Sequence, residues 1–160
     1  MTAKRLKEFL DGQHVKYVRM LHSPAYTSSE VAQVTHIPGR ELAKAVIVKL
    51  DGTLAMAVLP ASTHVDLNRL ATTAHGREAT LAAENELAGR FPDCELGAIP
   101  PFGALYGMAT YVDDELAKDE EIAFCAGTHH EVIKMSYSEF ERLEGGTAGR
   151  FAVSAVAEAV

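Results

Sequence analysis

The stretch from Ala43 to Pro60, AKAVIVKLDGTLAMAVLP, has the strongest secondary-structure pattern in the chain. Two apolar runs rich in β-branched residues flank Asp51-Gly52, a dipeptide suited to the positive φ angles of a two-residue type I′ turn. The pattern predicts a β-hairpin whose first strand, apolar throughout from Ala45 to Val48, is covered on both faces. Lys44 interrupts this pattern at the start of the strand. A lysine at the beginning of a buried strand either extends its ammonium to solvent or contacts a ligand.

The segments on either side of the hairpin predict a mixture of short helices and strands. Capping signals begin two of the helices: Thr27-Ser28-Ser29-Glu30 has the S/T-x-x-E form, and Ser136 is followed three residues later by Glu139. The other predicted elements are helices at 3–11, 66–74 and 84–90 and strands at 14–21, 77–82, 106–112, 121–126 and 131–135. Strands do not alternate regularly with long helices. We therefore expect an α+β fold in a single domain, with a mixed, curved or barrel-like β-sheet of about six to seven strands flanked by short helices.

Length and composition narrow the class of protein. The 160 residues suit one domain, predicted to span residues 1–145 and to be followed by a small, apolar tail at 146–160. The net charge of −7 argues against a broad surface for nucleic acid but leaves room for a local contact with a few phosphates. The N-terminus lacks the apolar region of an export signal, and no segment is long and apolar enough to span a bilayer. Cys94 and Cys125 are too few for a disulfide framework, so we predict reduced thiols and a cytoplasmic location.

Three other site classes have weak support in the sequence. Residues 28–48 could form a DNA-binding helix-turn-helix, but β-branched residues and the Asp-Gly turn favour a strand for its second half. His129 and His130 are adjacent, and neighbours on a strand point to opposite faces, so they are poorly placed to share a metal ion. There is no GxSxG motif, and neither cysteine lies in a nucleophile signature. We therefore expect no metal site and no DNA partner.

Three features remain as candidate site elements. Lys44 begins the central strand. Residues 97–101, GAIPP, have the form G-x-x-x-P, a rigid loop in which Gly97 can expose its backbone N–H. Residues 127–130, GTHH, form a tight connection with polar side chains between two predicted strands. Each feature alone is typical of an ordinary strand end or turn, and their combination with the order of elements is what suggests a site.

The sequence resembles the YbaK/EbsC family, the aminoacyl-tRNA deacylases related to the editing domain inserted in bacterial prolyl-tRNA synthetases. The resemblance extends from about Leu6 to Leu143. Its segments occur in the family's order: a Ser-Ser-Glu-type helix, a lysine before an apolar strand, the VDLNRLA helix, the GAIPP loop, and the strand-turn-strand FCAGTHHEVIKMS before a capped helix. The combination of Lys44 before an apolar strand with the G-x-x-x-P loop at 97–101 is moderately specific for this family.

This resemblance implies a function and a set of residues. It implies hydrolysis of the ester that joins a wrong amino acid to tRNA, with Lys44, Gly97 and Pro101 as catalytic residues and with no cofactor. The implied partner is the 3′ acceptor end of an aminoacyl-tRNA. Whether a tRNA synthetase is a second partner is left open by the resemblance. The backbone N–H of Gly97 could stabilise the tetrahedral oxyanion, and the ribose 2′-hydroxyl could help to activate water, as the family resemblance implies.

The remaining site residues are assigned more loosely. The late turn supplies a polar contact from Thr128, His129 or His130, and the sequence does not decide which. The candidates for a pocket lining that sets the choice of amino acid are Val46, Met56, Leu59, Ile99, Phe102 and Met108. Relatives edit Cys, Ala, Ser or other small residues, and tRNA-Pro is one candidate carrier. The alternative function is a non-catalytic module of the same fold that binds a tRNA end, a nucleotide or a synthetase.

Overall fold

The computed structural model describes residues 2–154, which contain five α-helices and ten β-strands. The helices α1 to α5 are Lys4–Gly12, Ser28–Thr35, Leu67–Thr73, Glu84–Leu87 and Tyr137–Glu144. The strands β1 to β10 are Tyr17–Leu21, Leu42–Leu50, Thr53–Pro60, Thr63–Val65, Ala79–Leu81, Ala109–Asp113, Glu121–Cys125, Glu131–Ser136, Thr147–Gly149 and Ala152–Ser154. Two 3₁₀ helices, Gly103–Tyr106 and Asp114–Lys118, flank β6.

The predicted hairpin is confirmed and lies at the centre of the sheet. Strands β2 and β3 pair antiparallel from Ala43 opposite Pro60 to Leu50 opposite Thr53. The turn residues Asp51 and Gly52 have φ angles of 49° and 87°, as a type I′ turn requires. Residues 42–50 are therefore a strand, and the helix-turn-helix alternative is wrong.

The main sheet is mixed, as expected for the predicted fold class. Its strand order is β1-β8-β7-β2-β3-β6-β9, and β5 also pairs with β2. The pairs β2–β7, β3–β6 and β6–β9 are parallel, and the other pairs are antiparallel. Strands β4 and β10 form a separate two-stranded sheet. The structure is thus an α+β domain with one large mixed sheet and several short helices.

Apolar side chains cover both faces of β2, as the unbroken apolar run predicts. Ala43 and Ile47 face the main core, whereas Val48 packs on the opposite face against Leu70 and Phe151. The main core includes three aromatic rings, those of Phe102, Phe124 and Phe140, whose centroids lie 5.3–6.5 Å apart. Full burial of one such side chain stabilises the fold by about 1.5–3 kcal/mol.

The predicted helix caps are present. The Thr27 hydroxyl accepts a hydrogen bond from the Glu30 N–H at 3.1 Å, and the Ser136 hydroxyl accepts one from the Glu139 N–H at 3.2 Å. Each such cap stabilises its helix by about 1 kcal/mol. The cap residue Thr27, which directly follows Tyr26, also determines that α2 begins at Ser28.

The segment after α5 adds strands that the sequence pattern did not indicate. Phe151 is fully buried, and the Asp113 carboxylate accepts hydrogen bonds from the N–H groups of Phe151 and Ala152 at 2.8 and 2.7 Å. The division between domain and tail at residue 145 stays a prediction. The end of the apolar tail, residues 155–160, lies outside the described residues. No helix within residues 2–154 has the length and apolar character needed to cross a membrane.

Candidate active site

The G-x-x-x-P loop and the turn between β7 and β8 are hydrogen-bonded to each other. The Glu95 N–H donates to the Gly127 carbonyl at 2.7 Å, and the Gly127 N–H donates to the Ala98 carbonyl at 2.9 Å. The Glu95 carboxylate also accepts a hydrogen bond from the His129 N–H at 3.2 Å. These three contacts join two segments that are about thirty residues apart in sequence. Two of the predicted site elements therefore form one rigid unit.

Gly97 is the exposed point of this unit. Its φ of +89° is one that residues with a side chain rarely adopt. A Cβ at this position would lie 3.2 Å from Cε1 of His129 and 4.0 Å from the Tyr26 carbonyl oxygen. Within residues 2–154, no protein acceptor receives the Gly97 N–H. The N–H is thus open to a ligand, and the His129 ring lies beside it.

Tyr26 completes the group, and the sequence analysis did not select it. Its ring contacts the His129 ring with centroids 4.8 Å apart and planes tilted by 47°. The preceding residue anchors this contact, because Ala25 is buried and its N–H donates to the His129 carbonyl at 2.8 Å. No local motif marks Tyr26, since only the fold brings residue 26 next to residue 129.

The other two residues of the late turn have different surroundings. The Thr128 hydroxyl oxygen is buried and, within the described part of the chain, has no hydrogen-bond partner. The His130 carbonyl accepts a hydrogen bond from the His22 N–H at 2.9 Å. The Nδ1 of His22 lies 2.6 Å from the Ser23 carbonyl oxygen, so Nδ1 carries the proton in the neutral ring. Of the three candidates in the turn, His129 is the one whose ring reaches Gly97.

Lys44 lies on β2, the strand beside β7: its neighbour Ala43 pairs with Phe124, three residues before Gly127 of the late turn. Lys44 is the third residue of β2, opposite Leu59, and its ammonium donates to the Thr63 carbonyl. Burial of the half-buried side chain lowers its pKa from the ordinary value. Alternation along β2 places Lys44 on the face opposite Ala43 and Ala45, whose side chains pack in the main core with Ile99. Within residues 2–154 no hydrogen bond or ion pair joins Lys44 to the G-x-x-x-P loop.

The residues predicted to line a pocket lie on both faces of the sheet. Met56, Ile99, Phe102 and Met108 are buried in the main core, with Met56 at 0% and Phe102 at 1% exposure. Val46 and Leu59 pack on the opposite face. Pro101 is buried behind the exposed Gly97. The assignment of these residues to substrate binding stays a prediction.

Cavities of ligand size lie elsewhere on the surface. One of about 420 Å³ is bounded by Val15, Tyr17, Lys134 and Ser136. Because Tyr17 pairs with Met135 and Leu21 pairs with Glu131, this cavity lies at the end of β1 and β8 remote from His130. Around Gly97, by contrast, the structure exposes Tyr26, Leu96 and Gly97 itself.

The cysteines are poor nucleophiles in this fold. Burial raises the pKa of the Cys94 thiol to about 12 and that of Cys125 to about 11. Both are therefore thiols rather than thiolates at neutral pH. Residues 2–154 contain no group of three or more His, Cys, Asp or Glu side chains placed to hold a metal ion. The exposed N–H of Gly97 and the His129 imidazole lie close enough together to contact one ligand.

Fold and site together define a class: a small α+β domain with an open backbone N–H beside a histidine in a turn that joins two strands of a mixed sheet. Comparison with known sequences identifies the family. The model of the aminoacyl-tRNA editing domain matches residues 22–143, so the chain belongs to that family. The resemblance to YbaK-type proteins is thereby confirmed. No curated protein matches the chain.

Solved structures share the fold at low sequence identity. The hypothetical protein APE2540 superposes with a TM-score of 0.83 and 18% identity, over 94% of this chain and 100% of that one. A proposed trans-editing enzyme for prolyl tRNA synthetase gives a TM-score of 0.77 and 19% identity, over 95% and 97% of the two chains. A proposed signal transduction protein from Marinobacter aquaeolei VT8 gives 0.74 and 18%, over 94% of this chain and 30% of that one. At these identities the likeness shows the fold.

Proposed function

We propose that this protein is an aminoacyl-tRNA deacylase that acts in trans and hydrolyses the ester between a wrong small amino acid and its tRNA. The observation that carries the proposal is the Gly97 N–H, which has no protein acceptor within residues 2–154 and lies beside the His129 ring. Family membership supports the editing reaction. The described role of one structural neighbour, trans-editing for prolyl tRNA synthetase, makes tRNA-Pro the first carrier to test.

The proposed reaction needs few protein groups because the aminoacyl ester is already activated. Water adds to the ester carbonyl carbon, and the oxygen becomes an oxyanion that accepts a hydrogen bond from the Gly97 N–H. The carbon–oxygen bond to the ribose then breaks, the ribose oxygen takes a proton, and free amino acid and tRNA are released. The His129 ring is placed to hold the ribose 2′-hydroxyl or the attacking water beside that N–H.

Lys44 has a separate role in this proposal. Its charge is held in a half-buried position, where electrostatic interactions are stronger than in bulk water. Thr63, whose carbonyl accepts from Lys44, borders a small cavity together with Arg40. The acidic residues Glu115 and Asp119 and the basic residue Lys118 line the same cavity. Lys49, by contrast, pairs with Glu86 at 2.8 Å, so its charge is already neutralised. We therefore assign the phosphates of the acceptor end to Lys44 and Arg40.

A panel of charged tRNAs tests the activity. The protein is mixed in excess with tRNAs carrying Ala, Cys, Ser or Pro, including tRNA-Pro carrying Ala or Cys, and loss of the ester is followed over time. Hydrolysis of at least one small-residue ester above the spontaneous rate is expected. Tight binding of tRNA without hydrolysis of any member would instead identify a non-catalytic binding module.

The substitution Lys44→Met tests the assignment of that lysine. The methionine fills a similar volume without the charge, so the fold should persist while deacylation falls by at least tenfold. Lys134→Met is the matched control, because Lys134 is a partly exposed lysine on β8 whose ammonium pairs with Glu121 and not with the Thr63 carbonyl. Full activity of Lys44→Met would show that Lys44 has no part in the reaction.

A further inference from the structure

An apolar surface lies open beside the Gly97 N–H. Tyr26 is 65% exposed and Leu96, the residue before Gly97, is 44% exposed. Exposed aromatic side chains are uncommon in a protein with only eleven Phe, Tyr and Trp residues, and most of its aromatic side chains lie in the interior. An exposed tyrosine and an exposed leucine next to an open N–H mark this surface as a place for a ligand.

The surface is held in place before any ligand arrives. The Tyr26 ring lies against the His129 ring at 4.8 Å, and Ala25 is tied to the His129 carbonyl. Thr27, the residue after Tyr26, caps α2, and this cap restrains the backbone on the other side of Tyr26. Because the ring is already positioned, the protein loses little side-chain entropy when a ligand stacks on it.

The shape of the surface indicates the kind of group that it holds. An amino-acid side chain is selected in a concave, enclosed pocket, whereas the Tyr26 side chain is 65% exposed. A flat aromatic group can stack on such a ring without being enclosed. In an aminoacyl-tRNA the reacting ester and the terminal nucleobase are attached to the same ribose. An ester at Gly97 therefore brings that base to the residues around Gly97.

We propose that Tyr26, supported by His129, is a stacking platform for the terminal nucleobase of the tRNA, and that Leu96 borders the base on the other side. This inference rests on the proposed function and adds a binding site for the base to it. Stacking on an aromatic side chain is tolerant of base identity, so the platform positions the acceptor end without reading its sequence. Tyr26 is thus a positioning residue for the ester at Gly97.

The test measures binding without hydrolysis. An uncharged RNA oligonucleotide that ends in CC followed by 2-aminopurine is titrated with protein, and quenching of the 2-aminopurine reports stacking. A second oligonucleotide, identical but abasic at the terminal position and labelled at its 5′ end, measures binding in the absence of the base. The wild-type protein is expected to quench the fluorophore and to bind the abasic oligonucleotide more weakly.

Two substitutions of Tyr26 separate the ring from the hydroxyl. Tyr26→Ala should lower affinity for the base-containing oligonucleotide by about 5- to 150-fold, and leave affinity for the abasic one unchanged. Tyr26→Phe should bind both as the wild type does. Leu81→Ala is the control, since Leu81 is 59% exposed on β5 and lies outside this surface. Equal binding by Tyr26→Ala and wild type, or no quenching with the wild type, would overturn the platform.

The same measurements distinguish this proposal from the proposed function. If no charged tRNA is hydrolysed but quenching depends on Tyr26, the platform stands and the deacylase fails. If charged tRNA is hydrolysed and Tyr26→Ala leaves both KM and binding unchanged, the deacylase stands and the platform fails. If both the deacylase and the platform proposals hold, Tyr26→Ala should raise KM more than it lowers kcat, because the Tyr26 ring contacts the base and not the ester.

Discussion

Replacing Gly97 by alanine tests the oxyanion role of its N–H. At a φ of +89° an alanine is strained, and its Cβ would lie 3.2 Å from Cε1 of His129. The backbone strain costs about 1–2 kcal/mol. The contact with His129 is an additional small cost, because an imidazole at the edge of the site can shift by a few tenths of an ångström. For a domain of this size, a loss of 1–2 kcal/mol lowers Tm by about 2–8 °C.

The effect on activity should be much larger than the effect on stability. The loop relieves the strain by rotating the peptide group that carries the N–H, which turns the donor away from the oxyanion. Removal of one oxyanion donor lowers kcat by about 10²–10³-fold. The assay is the single-turnover rate of deacylation of the preferred charged tRNA at saturating protein, with Tm measured on the same sample.

Gly52→Ala is the matched control for this experiment. Gly52 has almost the same φ, +87°, and a Cβ there meets no atom within 4 Å, so this variant isolates the backbone strain. We expect both variants to lose similar stability and only Gly97→Ala to lose activity. A Gly97→Ala protein with the lowered Tm and an undiminished single-turnover rate would refute the assignment of the Gly97 N–H as oxyanion donor.

Two further predictions concern stability. At Gly127, where φ is +101°, an alanine Cβ would lie 2.7 Å from the Ala3 Cβ. Gly127→Ala should therefore lower the free energy of unfolding in urea by about 1–3 kcal/mol more than Gly52→Ala does. An equal loss in the two variants would show that the N-terminal segment moves away from residue 127 at no cost. Burial raises the pKa of Glu144 from its ordinary 4.5 to about 7, so the folded state binds an extra proton between these values and stability should fall as pH rises from about 4.5 to 7. Glu144→Gln should remove that pH dependence and be more stable than the wild type at pH 8 by about 1–3 kcal/mol, a figure reduced for partial exposure; parallel stability curves for the two proteins would contradict this.

Local sequence patterns were sufficient for the elements whose signals lie within a few residues. The Asp51-Gly52 turn, the capping residues Thr27 and Ser136, and the apolar run of β2 each determine conformation through neighbouring atoms. The G-x-x-x-P loop was likewise recognisable, because glycine and proline restrict their own backbone angles. For the same reason the sequence singled out Gly97 before its surroundings were known.

Local patterns of this kind do not predict the pairing of short strands from distant parts of the chain. Strand β9 pairs with β6 and β10 pairs with β4, and each of β4, β9 and β10 has only three residues. A segment of that length has no periodicity to detect. The end of the described chain is held by the buried Phe151 side chain and by the hydrogen bond from the Phe151 N–H to the Asp113 carboxylate. Phe151 and Asp113 are almost forty positions apart in sequence.

The candidate site shows the same division. The residue types at Lys44, Gly97 and His129 were visible in the sequence, and the family resemblance indicated their importance. Only the tertiary structure decided that Gly97 meets His129 and Tyr26, and that the Lys44 ammonium donates to the Thr63 carbonyl. The physical reason is that conformation at a turn or cap depends on adjacent residues, whereas the distance between two loops depends on how the whole sheet is ordered and packed.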